Sequence, residues 1–393
     1  MKSISVVREN IPRSGIREIM EKALLMEDII HLEVGEPNVD TPPHICRAAY
    51  KAVNEGFTHY TSNAGLETLR RQIALHLKQK YELKIDKNNV IVTPGAVTAL
   101  NVSLLALVDS GESVLIPDPG WPNYEQMILN QEATPIRYNL IPEEGFLPDF
   151  EQLESVVTSN TKAMIINTPG NPTGSIFDKN TVRKIVEFAN KHDLYLISDE
   201  VYDGIIFEGD HVSPMTFDDV GRVISVYSFS KNYAMTGWRL GYAVAPENIA
   251  KNMSKTLELM VSCASSVSQK AGEAALSGPQ NFIQEMQDIY KERRDKAYHL
   301  LNKNGIKAFK PKGAFYMMID LSETGKKGSE LALSLLQEQK VAVAPGTTFG
   351  KSAESMIRIS LATEESQLLE GVSRICRFVK NNGCKEGNTI NIE

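Results

Sequence analysis

Between residues 89 and 245 the chain alternates short apolar, β-branched runs with amphipathic helical patterns, and that alternation leaves few folds open. NVIVTP leads into AVTALNVSLLALV, SVLIP and TPIRYNL follow, KAMIINTP precedes DKNTVRKIVEFANKHD, and LYLISDE and RVISVYSFS close the series. Short apolar runs separated by helical patterns make βα units, so the spacing predicts an α/β fold around a buried, mostly parallel sheet. Such sheets bind ligands outside the carboxyl ends of their strands. The polar residues that follow each run are therefore the ones to weigh.

With 393 residues the chain is too long for one ordinary core. Residues 279 to 303 form a long amphipathic helical pattern, after which AFYMMIDL, VAVAPG and MIRISLA read as a smaller α+β unit. The N-terminal 45 residues lie outside the βα series and are expected to pack on that unit. The polar tail NNGCKEGNTINIE is expected to fray. A net charge of −7 gives no electrostatic footprint for nucleic acid. Four scattered cysteines form no C-x-x-C pair, which argues against a zinc site or a disulfide scaffold and suits a reducing cytoplasm. The first residues lack a signal-type apolar core, and no run approaches the ~18 apolar residues of a membrane helix. A soluble cytoplasmic protein is the expectation, with no nucleic-acid or membrane partner.

Four strand ends carry groups that could converge. In TPGAVTAL a strand stops at Gly95 and a helix begins near Ala96 and Val97, where free N–H groups favour a phosphate; such turns also use glycine for packing alone. NTPGNPTG holds Asn171 in a doubled Pro-Gly turn. In LYLISDEVYDG, Asp199 follows a buried run, and an unpaired buried carboxylate is costly. It is either a cap or salt-bridge partner, or the partner of a protonated ring nitrogen, with Tyr202 on the same side of a helical turn. SFSKNYAMTGWRLGY supplies Ser228, Ser230, the amine of Lys231 and the guanidinium fork of Arg239. Together these groups describe a ligand with a phosphate, a basic ring nitrogen and an electrophilic carbon. Pyridoxal phosphate has all three, and Lys231 would condense with its aldehyde, kept unprotonated by burial and Arg239.

SFSKNYAMTGWRLGY, NTPGNPTGSI and SDEVYDG resemble the signatures of class I pyridoxal-phosphate aminotransferases of fold type I, and the likeness runs from SGIREIMEKA to MIRISLA. The nearest likeness is to archaeal and bacterial aspartate or aromatic amino acid aminotransferases. The resemblance implies a large domain (49–280) with a mostly parallel seven-stranded sheet between helices. A smaller α+β domain would combine residues 1–48 with 281–393. It implies that Lys231 carries the cofactor and shuttles the proton, that Asp199 pairs with the ring nitrogen, and that Tyr202 and Asn171 bond the ring oxygen. Ser228, Arg239, Gly95, Ala96 and Val97 would hold the phosphate, Trp121 would stack on the ring, and Tyr60 would reach the phosphate of a neighbouring subunit in a homodimer. Arg358, aided by Asn171 and Gly35, would bind the substrate carboxylate. An arginine flanked by apolar residues on a strand has a fork that matches a carboxylate; a structural pairing with a neighbouring acid is the other reading.

The implied activity moves the α-amino group of an L-amino acid, aspartate-type or aromatic, to 2-oxoglutarate in a ping-pong reaction. Aspartate-using members often carry a lysine where this chain has Val97, which favours an aromatic or broad donor range. Arg17, or a cation from a partner subunit, could still meet a dicarboxylate. A C–S lyase or an aminocyclopropane carboxylate synthase would use the same lysine and phosphate site and differ in product. The pyridoxal-phosphate domain of a transcription regulator would need an appended DNA-binding helix that the few residues before SGIREIM do not provide. PGTTFGKS lacks the first glycine of a P-loop, having Pro345 there, and is read instead as a loop over the site.

Overall fold

The computed structural model describes residues 4–382, and the polar tail expected to fray begins at its edge and otherwise lies outside them. A two-residue strand, β1 (Ile30–His31), precedes the large sheet. That sheet is built from β2 (Val90–Thr93), β3 (Ser113–Asp118), β4 (Thr134–Ile141), β5 (Leu147–Pro148), β6 (Thr161–Asn167), β7 (Tyr195–Asp199), β8 (Val223–Ser228) and β9 (Gly241–Val244). Its spatial order is β2-β9-β8-β7-β6-β3-β4-β5. Neighbours from β8 through β4 run parallel, while β9 is antiparallel to both β8 and β2. Seven strands correspond to the expected sheet. The eighth, β5, is a two-residue return from β4, too short to show a pattern of its own.

The apolar runs follow from burial on both faces. Along β6, Ala163 and Ile165 enter one core cluster with Ile197, Ile224 and residues of the helices Ala96–Leu107 and Glu247–Val261. Met164 and Ile166 enter another with Leu196 and the helix Lys179–Lys191. Alternate residues thus leave the sheet on opposite sides into two apolar layers, and between Ala163 and Ile166 no position on this strand is free to be polar. They end at the carboxyl edge. Because β2 and β8 are each antiparallel to β9, β2 is parallel to β8, and the carboxyl ends of β2, β8, β7, β6 and β3 lie along one edge.

A second sheet, ordered β10-β11-β14-β13, contains β10 (Ala308–Phe309), β11 (Tyr316–Asp320), β13 (Ala344–Pro345) and β14 (Met356–Ser360), all paired antiparallel. Strand β12 (Val341–Ala342) pairs in parallel with β1, so residues 30 and 31 are tied to the C-terminal third of the chain. One core cluster joins Ile19, Ala23, Ile30 and Leu32 to residues of the second sheet, the helix Asn281–Lys303 and the helix Glu365–Asn382. The same cluster takes in Tyr202 and Val201 from the turn after β7. The two sheets therefore meet at the edge where the large sheet turns polar.

Candidate active site

A cavity of about 660 Å³ opens at this meeting edge. Of the residues singled out in the sequence, Gly35, Ala96, Val97, Trp121, Asn171, Asp199, Tyr202, Ser228, Lys231, Arg239 and Arg358 line it. Gly95 and Tyr60 are not among the lining residues: Gly95 stands just before Ala96, and Tyr60 is 86% exposed.

At the end of β2, Gly95 caps the helix Ala96–Leu107 with φ of +86°, a left-handed value that glycine takes at no steric cost. A Cβ there would overlap the Arg239 guanidinium, so only glycine lets the fork approach the helix start. Thr98 and Ala99 donate to Gly95 O, whereas the N–H groups of Ala96 and Val97 have no partner within the helix. Arg239 Nη1 donates to Thr236 O at 2.9 Å, which orients the guanidinium. A fork beside the positive end of a helix dipole is a cradle for a phosphate.

After β6, Asn167 ties the neighbouring strand end to the Asn171 turn. Its Nδ2 donates to Asp199 O at 2.8 Å and its Oδ1 accepts from Asn171 N at 2.6 Å. Asp199 itself, at the end of β7, is buried and makes no ion pair among the described residues. Tyr124 OH donates to Oδ2 at 2.6 Å, and Val201 N approaches Oδ1 at 3.4 Å. Burial pushes the Asp199 pKa up to about 6, while the bonds from Tyr124 and Val201 pull the other way. A buried carboxylate held this way gains most from a cation arriving on its open side. Tyr124 also sets its ring edge-on to Trp121, with centroids 5.4 Å apart. Tyr202 shares a hydroxyl contact of 2.9 Å with Tyr316.

Lys231 sits on the short helix Phe229–Asn232 just past β8, and its Nζ donates to Gly35 O at 2.7 Å. Burial pushes its pKa down to about 8; Glu36 opposes this, and Arg358 and Arg239 reinforce it. The sequence-based expectation named Arg239 as the reinforcing charge, and Arg358 acts ahead of it. The amine is thus a usable nucleophile and base near neutral pH.

Arg358, in the middle of β14, is buried against the Tyr316 ring at 4.2 Å and near the Phe349 ring at 5.1 Å. Its Nη1 donates to Asn171 Oδ1 at 2.8 Å and its Nη2 to Glu33 O at 2.6 Å. Among the described residues it makes no ion pair, since the Glu33 carboxylate turns to His31 Nδ1 at 2.8 Å. A buried guanidinium without a carboxylate is poised to receive one. Phe349 belongs to the stretch PGTTFGKS, whose Lys351 and Ser352 N–H groups donate to Asp118 at the end of β3. That stretch forms short 3₁₀ turns and not a nucleotide loop followed by a helix.

The sequence profile of the family described as aminotransferase class I and II matches residues 27–375. The chain belongs to that family. Its cofactor is pyridoxal phosphate, and the residues at the cavity fit it: an anion cradle, a half-free buried carboxylate and a lysine amine follow the carboxyl ends of β2, β7 and β8 along one sheet edge. The aminotransferase is 40% identical over 368 residues to a protein of Pyrococcus horikoshii named aspartate aminotransferase, covering 93% of this chain and 94% of that one. It is 35% identical over 377 residues to a Thermococcus litoralis protein named aromatic-amino-acid aminotransferase 2, covering 95% and 97%. A solved structure of Thermus thermophilus aspartate aminotransferase with maleate superposes with a TM-score of 0.92 at 33% identity, covering 96% of this chain and all (100%) of that one.

Several residues lining the aminotransferase site escaped sequence reasoning. Tyr124 and Tyr316 fit core aromatic positions as well as site positions, and only their hydroxyl contacts distinguish them. Tyr124 had one available signal, its place three residues after Trp121 in DPGWPNY. Asn167 opens NTPGNPTG, where an asparagine fits an ordinary turn as well as a site. Glu33 had no signal beyond lying two residues before Gly35.

Proposed function

We propose that this aminotransferase passes the α-amino group of an L-amino acid to 2-oxoglutarate in a ping-pong cycle, with aspartate-type and aromatic donors sharing one site. The observation that carries this reading is the lysine amine facing Gly35 O between two arginines of different purpose, Arg239 beside the anion cradle and Arg358 in the apolar wall. When bound, the cofactor supplies an aldehyde carbon and an electron-withdrawing ring. Lys231 would hold that aldehyde through its amine and, as the site's general base and acid, would move a proton between the donor Cα and the cofactor's C4′. Asp199 would keep the ring nitrogen protonated, and Tyr202 and Asn171 would bond the ring oxygen. Trp121 would cover the ring. Ser228, Arg239 and the N–H groups at Gly95, Ala96 and Val97 would bind the phosphate. Arg358, with Asn171 and the backbone at Gly35, clamps the α-carboxylate, and orientation by that clamp is worth a large part of the rate.

Since donor and acceptor occupy this site in turn, use of 2-oxoglutarate requires a cation for the second carboxylate. Val97 cannot supply it. Arg17, on the N-terminal helix Gly15–Ala23, lines the cavity, reaches only Met20 Sδ at 3.6 Å, and makes no ion pair among the described residues. Ile16, Met20, Val97 and Leu100 line the same cavity and favour an aromatic donor as well. Loss of the visible cofactor band, measured with aspartate, glutamate, alanine, tyrosine and phenylalanine in turn, tests the range; a response to aromatic donors alone overturns the dicarboxylate part. Arg17→Met should raise KM for aspartate and 2-oxoglutarate by about 10–100-fold, the worth of a charged hydrogen bond, and move KM for tyrosine by less than roughly threefold.

The depressed lysine pKa gives a second expectation. Capture of pyridoxal phosphate by the cofactor-free protein needs the neutral amine, so its rate should rise with pH through a midpoint near 8. A midpoint near that of an ordinary lysine would show that Lys231 is not the capturing group.

The reading includes a domain division at 49–280 against 1–48 with 281–393, supported by the core cluster that the N-terminal and C-terminal segments share. It also includes a homodimer, supported by the exposed Tyr60 and the 84% exposed Leu259. A cytoplasmic setting agrees with the free Cys46, Cys263 and Cys376. No helix among the described residues is long and apolar enough to cross a membrane.

A further inference from the structure

A second cavity, of about 370 Å³, lies behind the first. Two adjacent residue pairs straddle the wall between them. Tyr202 and Lys231 face the first cavity, while their sequence neighbours Asp203 and Asn232 face the second. Asn232 Nδ2 donates to Asp203 Oδ1 at 2.7 Å, so the two neighbours are bonded to each other on the far side of the wall. Asp203 is anchored in turn: Lys80 Nζ and Tyr81 OH, from the helix Glu67–Tyr81, each donate to its Oδ2 at 2.7 Å. Burial pushes its pKa up, but Lys80 and His211 outweigh that and hold it at about 2, so it is an anion at any working pH. Gly204 makes the approach possible, because a Cβ there would stand 2.8 Å from Asn232 Cγ.

The helix carrying Lys231 has four residues. A helix that short has almost no internal hydrogen bonding to fix it, so outside anchors set its position. Its backbone is tied at its start by Ser230 N to Ser228 Oγ at 3.1 Å and Phe229 N to Leu240 O at 3.2 Å, and toward its end only to the residues that follow it, Tyr233 N donating to Phe229 O and Met235 N to Ser230 O, each at 3.2 Å. The Asn232–Asp203 bond is the side-chain tie at its far end, and it leads directly to the residue after Tyr202.

We infer that Asp203 and Asn232 are positioning residues: their bond locks the Lys231 helix to the Tyr202 turn and so fixes where the Lys231 amine stands in the cofactor cavity. Neither residue touches the cavity itself, and both act through their neighbours. The inference rests on the proposed role of Lys231, and Lys231→Ala serves as the reference that tests that role separately.

The test compares Asn232→Ala, Asp203→Asn and the double variant as holoenzymes. Asn232→Ala removes one neutral donor and leaves Asp203 with Lys80 and Tyr81, so it stays informative if Asp203→Asn, which orphans Lys80, fails to fold. Each folded single variant should lower kcat by about 10–100-fold with the donor KM within roughly threefold, the signature of a misplaced catalytic group. The double variant should fall no further than the worse single, because both remove one tie. Independently of turnover, release of pyridoxal phosphate, followed by loss of the visible band, should accelerate in Asn232→Ala at an unchanged melting temperature. Should Lys231→Ala abolish turnover while Asn232→Ala keeps kcat and cofactor release within about twofold of the parent, the positioning role is wrong. A kcat loss that merely follows a lowered melting temperature overturns it as well. If Lys231→Ala itself keeps turnover, the lysine assignment falls first.

Discussion

Lys231→Ala is expected to lower transamination by at least about 10⁴-fold, the upper range for loss of a positioned general base, with further loss from the missing covalent attachment. Both jobs depend on an amine whose pKa is pushed down to about 8 by burial, and alanine offers neither an amine nor a substitute. The Lys231 side chain reaches Gly35 O and lies over the Phe315 ring at 5.7 Å, so the truncation removes one contact at the edge of the core and leaves the other cavity groups in place. The variant should therefore fold, bind pyridoxal phosphate through the phosphate cradle, and fail to hold it covalently. Denaturation after borohydride treatment distinguishes the cases: the parent retains the cofactor on the chain and the variant releases it. Repeated turnover by the variant at the parent rate would remove Lys231 from the mechanism.

Asp199→Asn is expected to cost about 10²–10³-fold in kcat, the scale of one lost electrostatic contact to developing charge in a dry site. Asparagine preserves the shape and can accept from Tyr124, but it carries no charge to hold a ring proton. The same residue makes a prediction about stability without cofactor. Burial raises its pKa from 3.8 to about 6 in the folded chain. Below the unfolded value both states are protonated and nothing is lost; as pH rises toward and through 6, the folded state resists giving up a proton that the unfolded state releases. The cofactor-free protein should lose up to about 3 kcal/mol of stability from this group between pH 4 and 6. Asp199→Asn should lack that slope, and saturating pyridoxal phosphate should reduce it in the parent. Urea melts at several pH values measure it, and an identical slope in Asp199→Asn would assign the pH dependence to other groups.

The chain's local chemistry showed how far such a site can be read before folding. Lys231, Asp199 and Arg239 stood out because charged groups directly follow or flank buried runs, and strand-end polarity is a local signal. Arg358 stood out for the same reason, inside MIRIS. Its freedom from a carboxylate was not legible, because Glu33 is a close neighbour whose side chain turns instead to His31. The roles of Tyr124 and Tyr316 were hard to read for a different reason. A tyrosine packs as readily as phenylalanine, and its role depends on whether a partner such as Asp199 or Tyr202 meets its hydroxyl. The tie between Asn232 and Asp203 joins residues 29 positions apart and needed the register of β7 against β8.

The sequence by itself determined the βα series, the edge at which polar residues had to gather, and the residue types that suit a phosphate, a ring nitrogen and an aldehyde. Those follow from periodicity and from the cost of burying charge, which act over a few residues. Tertiary structure alone decided that β1 pairs with β12, that Arg17 and Arg358 reach one cavity from opposite ends of the chain, and that Lys231 has a second cavity at its back. These are contacts between distant segments, set by how whole layers pack, and no local pattern encodes them.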